Sequence, residues 1–184
     1  MRTFIAVDVS SVAIVKLQNE ILSTAGLNIR EVKPVEPRNF HFTLIFLGEV
    51  SDHHDIDKIK EKLAELQFER FTLTYNGIGA FPNPASARVV WVGLDPEGSQ
   101  KLTSLADEVT LKMFKLGFKA DKPFSPHMTF LRAKGKPVRL SDICAKYQGR
   151  TFGSDLVDMM HLKKSELTPS GPIYSNIYTV EAKR

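Results

Sequence analysis

The sequence predicts a mixed fold of strands and helices made of two similar halves, and three observations carry that prediction. Apolar, β-favouring runs alternate with segments of helical period along the whole chain. The order helix, strand, helix, strand, strand occurs twice. The first strand of each set carries a histidine followed two residues later by a threonine, at His41–Thr43 and His127–Thr129, with 127 − 41 = 86 residues between the histidines of a 184-residue chain. Two such units related by a pseudo-twofold axis would bring His41 and His127 face to face. Chance alternation of strands and helices is the competing reading. The length fits one domain over residues 1–184 or two closely joined lobes.

Phe4 to Val9 is apolar and reads as a strand; no small-residue cleavage pattern makes it a signal peptide. Ser10 or Ser11 can cap a helix running to about Leu22, with Val12, Val15 and Leu22 on its inner stripe. Pro34 and Pro37 break the chain before the first histidine strand. Ser51 and Asp52 open a second helix, whose Ile56, Ile59, Leu63 and Leu66 recur at spacings of three and four. Phe71, Leu73 and Tyr75 alternate as a strand, the Gly77–Pro84 segment reads as a loop, and Arg88 to Leu94 reads as a central strand. Asp95-Pro96-Glu97-Gly98 reads as a turn. Ser99 is then the expected cap of a helix with Leu102, Leu105, Val109 and Leu116 inside, stopped by Gly117. After the second histidine strand come a loop at Ala133–Pro137, a short helix from Leu140 to Gln148, and strands near Ser154–Leu162 and Ser175–Val180.

Composition is that of an ordinary globular protein: 42% hydrophobic and 25% charged residues. The net charge of +4 mildly favours a polyanionic partner. A single cysteine, Cys144, rules out an intramolecular disulfide and any multi-cysteine zinc site. No stretch is long enough to span a bilayer, so the expectation is a cytoplasmic protein with no membrane partner.

The functional signal lies in the two histidine strands, Asn39-Phe40-His41-Phe42-Thr43-Leu44-Ile45-Phe46-Leu47-Gly48 and Ser125-Pro126-His127-Met128-Thr129-Phe130-Leu131-Arg132. In an extended strand residues i and i+2 share a face. His41 therefore sits beside Thr43, and His127 beside Thr129. A polar pair in an apolar run is costly to bury unless it is paired or reaches water. Its occurrence twice implies two imidazoles and two hydroxyls lining one cleft.

This pair of His-x-Thr-hydrophobic motifs resembles the 2H phosphoesterases, and most closely their RNA 2′,3′-cyclic phosphodiesterases, also named 2′-5′ RNA ligases. Supporting segments are Arg2-Thr3-Phe4-Ile5-Ala6, the run from His41 to Gly48 with Glu49, Ala87-Arg88-Val89-Val90-Trp91-Val92-Gly93, Pro126 to Thr129, and Leu167-Thr168-Pro169-Ser170-Gly171-Pro172-Ile173-Tyr174. The resemblance covers essentially the whole chain. Phe42 and Phe130 stand where the family commonly has leucine, and both remain apolar. The resemblance implies a bilobed α+β fold, with antiparallel sheets around a central cleft and helices outside.

It also implies a reaction. Opening a ribose 2′,3′-cyclic phosphate requires a water to lose a proton and a departing ribose oxygen to gain one. Histidine, with an ordinary pKa of about 6.5, suits both tasks. By the resemblance His41 is the proton donor to the 3′ oxygen and His127 the proton acceptor from water, leaving a 2′-phosphate; the residues alone do not fix that order. Thr43 and Thr129 can donate to the non-bridging oxygens. No step demands a metal or another cofactor. In the reverse direction, with a 5′-hydroxyl as nucleophile, the same site would join RNA ends as a 2′-5′ linkage; ring strain and abundant water favour hydrolysis. The implied partner is RNA with 2′,3′-cyclic phosphate ends, tRNA fragments among them, handled by a monomer.

Arg132 and Phe46 lie five residues after His127 and His41, at positions that contribute to substrate binding in related enzymes. A guanidinium can hold phosphate and a phenyl ring can stack on a base. Strict alternation, however, places both on the face opposite the histidines, so the role requires a bulge or a strand end there. A core phenylalanine and a surface arginine are the plainer readings.

Other polar features point elsewhere. His53-His54-Asp55 reads as a solvated helix start, His161 as a paired or half-buried strand histidine, Cys144 as a small buried hydrophobe. Lys122, Lys134, Lys136 and Arg139 fit either a basic rim for RNA or a solvated loop. One of Lys163 and Lys164 can face the cleft. Gly77-Ile78-Gly79 is too short for a dinucleotide loop. Two other functions fit the same residues: a non-catalytic protein that binds RNA ends, and a related phosphodiesterase acting on a small cyclic nucleotide phosphate.

Overall fold

The computed structural model describes residues 1–24, 26–27, 30–169 and 171–183. Nine strands and four helices are defined among them: β1 (Arg2–Asp8), α1 (Val12–Thr24), β2 (Val32–Pro34), β3 (His41–Glu49), α2 (His53–Ala64), β4 (Phe71–Phe81), β5 (Val89–Leu94), α3 (Pro96–Phe114), β6 (Met128–Ala133), α4 (Ser141–Tyr147), β7 (Thr151–Val157), β8 (Met159–Thr168) and β9 (Gly171–Glu181). The strands form two sheets, in the orders β3-β1-β8-β9 and β2-β6-β5-β4-β7. Every pairing between named strands is antiparallel. The expected α+β class with antiparallel sheets is what the chain forms. Among the described residues no helix is long and apolar enough to cross a membrane.

The chain crosses between the sheets. Strands β4 and β5 follow the first histidine strand in sequence yet pair in the sheet of the second one, while β8 returns to lie beside β1 with β9 on its outer side. Each sheet is thus assembled from both halves of the sequence. The helices bury their apolar stripes against this frame, α3 on strands of both sheets and α1 on β6 and β7. In α2, Ile56, Ile59 and Leu63 are buried as the spacing requires, and Asp52 caps the helix by accepting from the His54 amide.

Several sequence expectations are corrected. In α1 the fully buried apolar residues are Ile14, Leu17 and Ile21; Val15 and Leu22 pack partly buried against the core as expected, and Val12 is 69% exposed. Residues Gly77–Phe81 continue β4 instead of forming a loop. The register shifts between Tyr75 and Ile78, where Gly77 adopts φ +67°, and Gly79 lies against the Trp91 ring. Asp95–Gly98 opens α3: the Asp95 carboxylate accepts from the Gly98 amide at 3.1 Å, with Pro96 in the first turn, so Asp95 and not Ser99 is the cap. The single strand expected over Ser154–Leu162 is two strands in different sheets, divided at Asp158. Strand β2, with only three residues, had no periodic signal; it extends the second sheet by pairing with β6. Ser170, within the Leu167–Tyr174 segment, lies outside the described residues.

Candidate active site

A cleft of about 610 Å³ opens between the two sheets, and His41, Thr43, Phe46, His127, Thr129 and Arg132 all line it. The two histidines are held alike. His41 Nδ1 lies 2.7 Å from the Asn39 carbonyl oxygen, and His127 Nδ1 lies 2.7 Å from the Ser125 carbonyl oxygen. A carbonyl oxygen only accepts, so in each ring Nδ1 carries the hydrogen and donates it. Nε2 is then the nitrogen left for a ligand: an acceptor in the neutral ring, a donor in the protonated one.

The i+5 residues reach the cleft because each histidine strand carries an extra residue. On β1, Ile5 pairs with Ile45 but Ala6 pairs with Thr43, leaving Leu44 between them. On β5, Val90 pairs with Leu131 but Trp91 pairs with Thr129, leaving Phe130 between. At each bulge two consecutive residues are buried, Leu44-Ile45 and Phe130-Leu131, and the alternation resumes in the opposite phase. Phe46, 64% exposed, thereby comes to the face of His41 and Thr43, and Arg132 to that of His127 and Thr129. The buried Gln18 braces the second bulge from α1, its Nε2 donating to the Phe130 carbonyl at 2.7 Å and the Val35 carbonyl at 3.0 Å.

Aromatic rings flank both imidazoles. Phe4 and Tyr174 each lie 5.2 Å from the His41 ring, Tyr174 edge-on. Phe81 lies edge-on to His127 at 5.0 Å, with Trp91 at 6.4 Å. Such contacts fix ring orientation and thin the surrounding water. Burial holds the His41 pKa below its ordinary value, against the upward pull of the Asn39 carbonyl and the Asp8 carboxylate; Lys163 and Arg132 push it further down. Burial likewise raises the Tyr174 phenol. The lining cations are Arg2, Lys33 and Arg132, against the single carboxylate of Glu36, so among the described residues the cleft wall favours an anion.

Phe4, Phe81, Tyr174 and Lys33 had no individual signal in the sequence; their roles depend on which strands become neighbours. Of the expected basic rim, Lys122, Lys134, Lys136 and Arg139 are not among the lining residues. Of the two lysines expected near the cleft, Lys163 is buried and bonded to Asp8 while Lys164 pairs with Glu166, and neither is among the lining residues. His161 is half-buried and paired with Thr179 at 2.9 Å. His53 and His54 are exposed at the start of α2, and no cluster of metal-ligating residues occurs among the described residues.

Two imidazoles, two hydroxyls and a guanidinium therefore line one cleft. Comparison with known proteins points the same way. The family model described as LigT like Phosphoesterase matches twice, over residues 10–91 and 92–174. A curated Archaeoglobus fulgidus relative, named RNA 2′,3′-cyclic phosphodiesterase, is 44% identical over 181 residues, spanning 98% of this chain and 100% of that one. Among solved structures, a Thermus thermophilus protein superposes with a TM-score of 0.77 at 30% identity, covering 98% of this chain and 97% of its own. E. coli LigT complexed with 3′-AMP gives 0.74 at 25% identity, covering 100% and 98%.

Proposed function

The chain belongs to the LigT-like phosphoesterase family, and from that premise we propose that it is an enzyme hydrolysing RNA 2′,3′-cyclic phosphate ends by two-histidine acid–base catalysis. The observation that carries this reading is the matched pair of imidazoles, each anchored through Nδ1 on the carbonyl two residues earlier and each lining the same cleft.

In the proposed reaction a water attacks phosphorus in line with the ribose 3′ oxygen. His127 Nε2 takes the proton the water loses. A new P–O bond forms, the bond to the 3′ oxygen breaks, and protonated His41 delivers its Nε2 proton to that oxygen. The products are a 2′-phosphate and a 3′-hydroxyl. Thr43 and Thr129 donate to the non-bridging oxygens, where charge grows. Arg132 holds phosphate and Phe46 stacks on a base. With a 5′-hydroxyl in place of water, the same groups form a 2′-5′ linkage. The cationic lining supports an RNA end as substrate, tRNA fragments included. We read the protein as a cytoplasmic monomer, one domain with two lobes related by internal duplication. The double family match and the paired bulges support the duplication.

Product analysis of a nucleoside 2′,3′-cyclic phosphate in excess EDTA tests the proposal. Release of the 2′-phosphate is expected. A 3′-phosphate product would reverse the assigned leaving group, and loss of turnover on chelation would count against a metal-independent route. His41→Ala and His127→Ala should each lower the rate by about 10²- to 10⁴-fold while the protein stays folded.

A further inference from the structure

The two histidines share an anchor but not a neighbourhood. Beside His127 and Thr129 on β5 stands Trp91, the register partner of Thr129. Beside His41 on β1 stands Asp8, its own register partner. Directly opposed residues of an antiparallel pair project to the same face with Cβ atoms about 5 Å apart.

The Asp8 carboxylate is held in place. Lys163 Nζ donates to its two oxygens at 2.8 and 2.6 Å and to Asn176 Oδ1 at 2.7 Å, and Lys163 is only 5% exposed. His161 Nε2 lies 3.7 Å from the same carboxylate. Lys163 is buried while the Asp8 side chain is 37% exposed, and desolvating the ammonium offsets much of what the pair gains, so it is weak as a stabilising device. Its place next to a catalytic imidazole points to another use.

We propose that Asp8 is a positioning residue for the acid step, its carboxylate favouring a proton on His41 rather than on His127, with Lys163 setting how strongly it does so. This rests on the two-histidine reading above. The groups facing His41 are the Asn39 carbonyl before β3, Phe4 and Asp8 on β1, Lys163 on β8, Tyr174 on β9 and Arg132 on β6. Asp8 and Lys163 act on its proton in opposite directions. A lone carboxylate would hold the ring as a fixed ion pair, unable to release its proton to the substrate. The ammonium group moderates that hold. The His127 ring is flanked instead by Phe81 and Trp91, at 5.0 and 6.4 Å.

The two charges give the test opposite signs. Histidine titrations followed by NMR on the full chain should show the His41 midpoint falling in Asp8→Asn and rising in Lys163→Met. Each shift should be about half a pH unit or more, less than the full effect of an unopposed charge at close range. His127 should move less in both variants, and the alkaline limb of kcat/KM on a nucleoside 2′,3′-cyclic phosphate should follow His41. A purely structural role would move stability without moving the two midpoints apart. Should Asp8→Asn fail to fold, Lys163→Met decides alone: an unmoved or lowered His41 midpoint overturns the inference. An unmoved His41 in folded Asp8→Asn, with turnover lost in His41→Ala, overturns this inference and leaves the two-histidine reading intact. Full turnover in His41→Ala removes both.

Discussion

At the scale of single residues the site depends on two main-chain carbonyls. Because Asn39 and Ser125 accept from Nδ1, both rings are held in the tautomer that leaves Nε2 for chemistry. These histidines were legible in the sequence because a polar pair is costly inside an apolar strand, and its repetition marks a shared use. Arg132 and Phe46 were only half legible, since strict alternation turned them away. Replacing Arg132 by Gln should raise KM for oligonucleotides and reduce the slope of log affinity against log salt by about 0.7, the value for one phosphate contact on a single strand. An unchanged slope would place Arg132 outside the phosphate path. The pH dependence of stability follows from burial of His41. Its folded pKa lies below its ordinary 6.5, so the unfolded chain binds the proton more readily. The contribution of His41 is therefore complete above about pH 6.5 and is lost as pH falls through the folded value. Thermal melts from pH 7 to pH 5 should show a decline, and His41→Gln should reduce it in part, since burial also lowers the His161 pKa.

At the scale of elements the deciding feature is the bulge, present in both histidine strands at the same offset. It converts the spacing i, i+2, i+5 into one continuous face. The sequence concealed it because the run from Phe42 to Leu47 is apolar on both faces apart from Thr43, so a change of phase leaves no mark on the pattern. The glycines of β4 were misleading for a related reason. Gly79 looks like a turn residue, but a Cβ there would stand 2.2 Å from the Trp91 ring. Gly79→Ala should push that ring, which packs near Phe81 and His127, and cost about 1–3 kcal/mol. Trp91 is the chain's one tryptophan, so its fluorescence reports the shift directly. An unchanged emission and an unchanged melt would show that the ring has room to move.

At the scale of the whole molecule, the crossing of strands between sheets ties the two halves together. The first sheet needs β8 and β9 from the end of the chain, and β4 and β5 need β6 to complete theirs. Residues 1–94 and 95–184 made separately should therefore remain unfolded by circular dichroism and NMR dispersion, and should recover structure only when mixed. Independent folding of either piece would show that a half-sheet with its helix is a sufficient core. The same crossing makes the cleft a property of the complete chain, since one wall carries His41 and the other His127.

The linear chain already revealed two halves of strands and helices, the helix faces of α2 and most of α3, and the two histidine–threonine pairs. Each of these depends on residue type and short-range period, which the linear pattern records. Folding in three dimensions set which strands became neighbours, the bulges that bring Phe46 and Arg132 round, and the carboxylate that stands beside His41. Those features depend on contacts between residues far apart in the chain, such as Asp8 with Lys163 and Gln18 with Phe130. No local period encodes them.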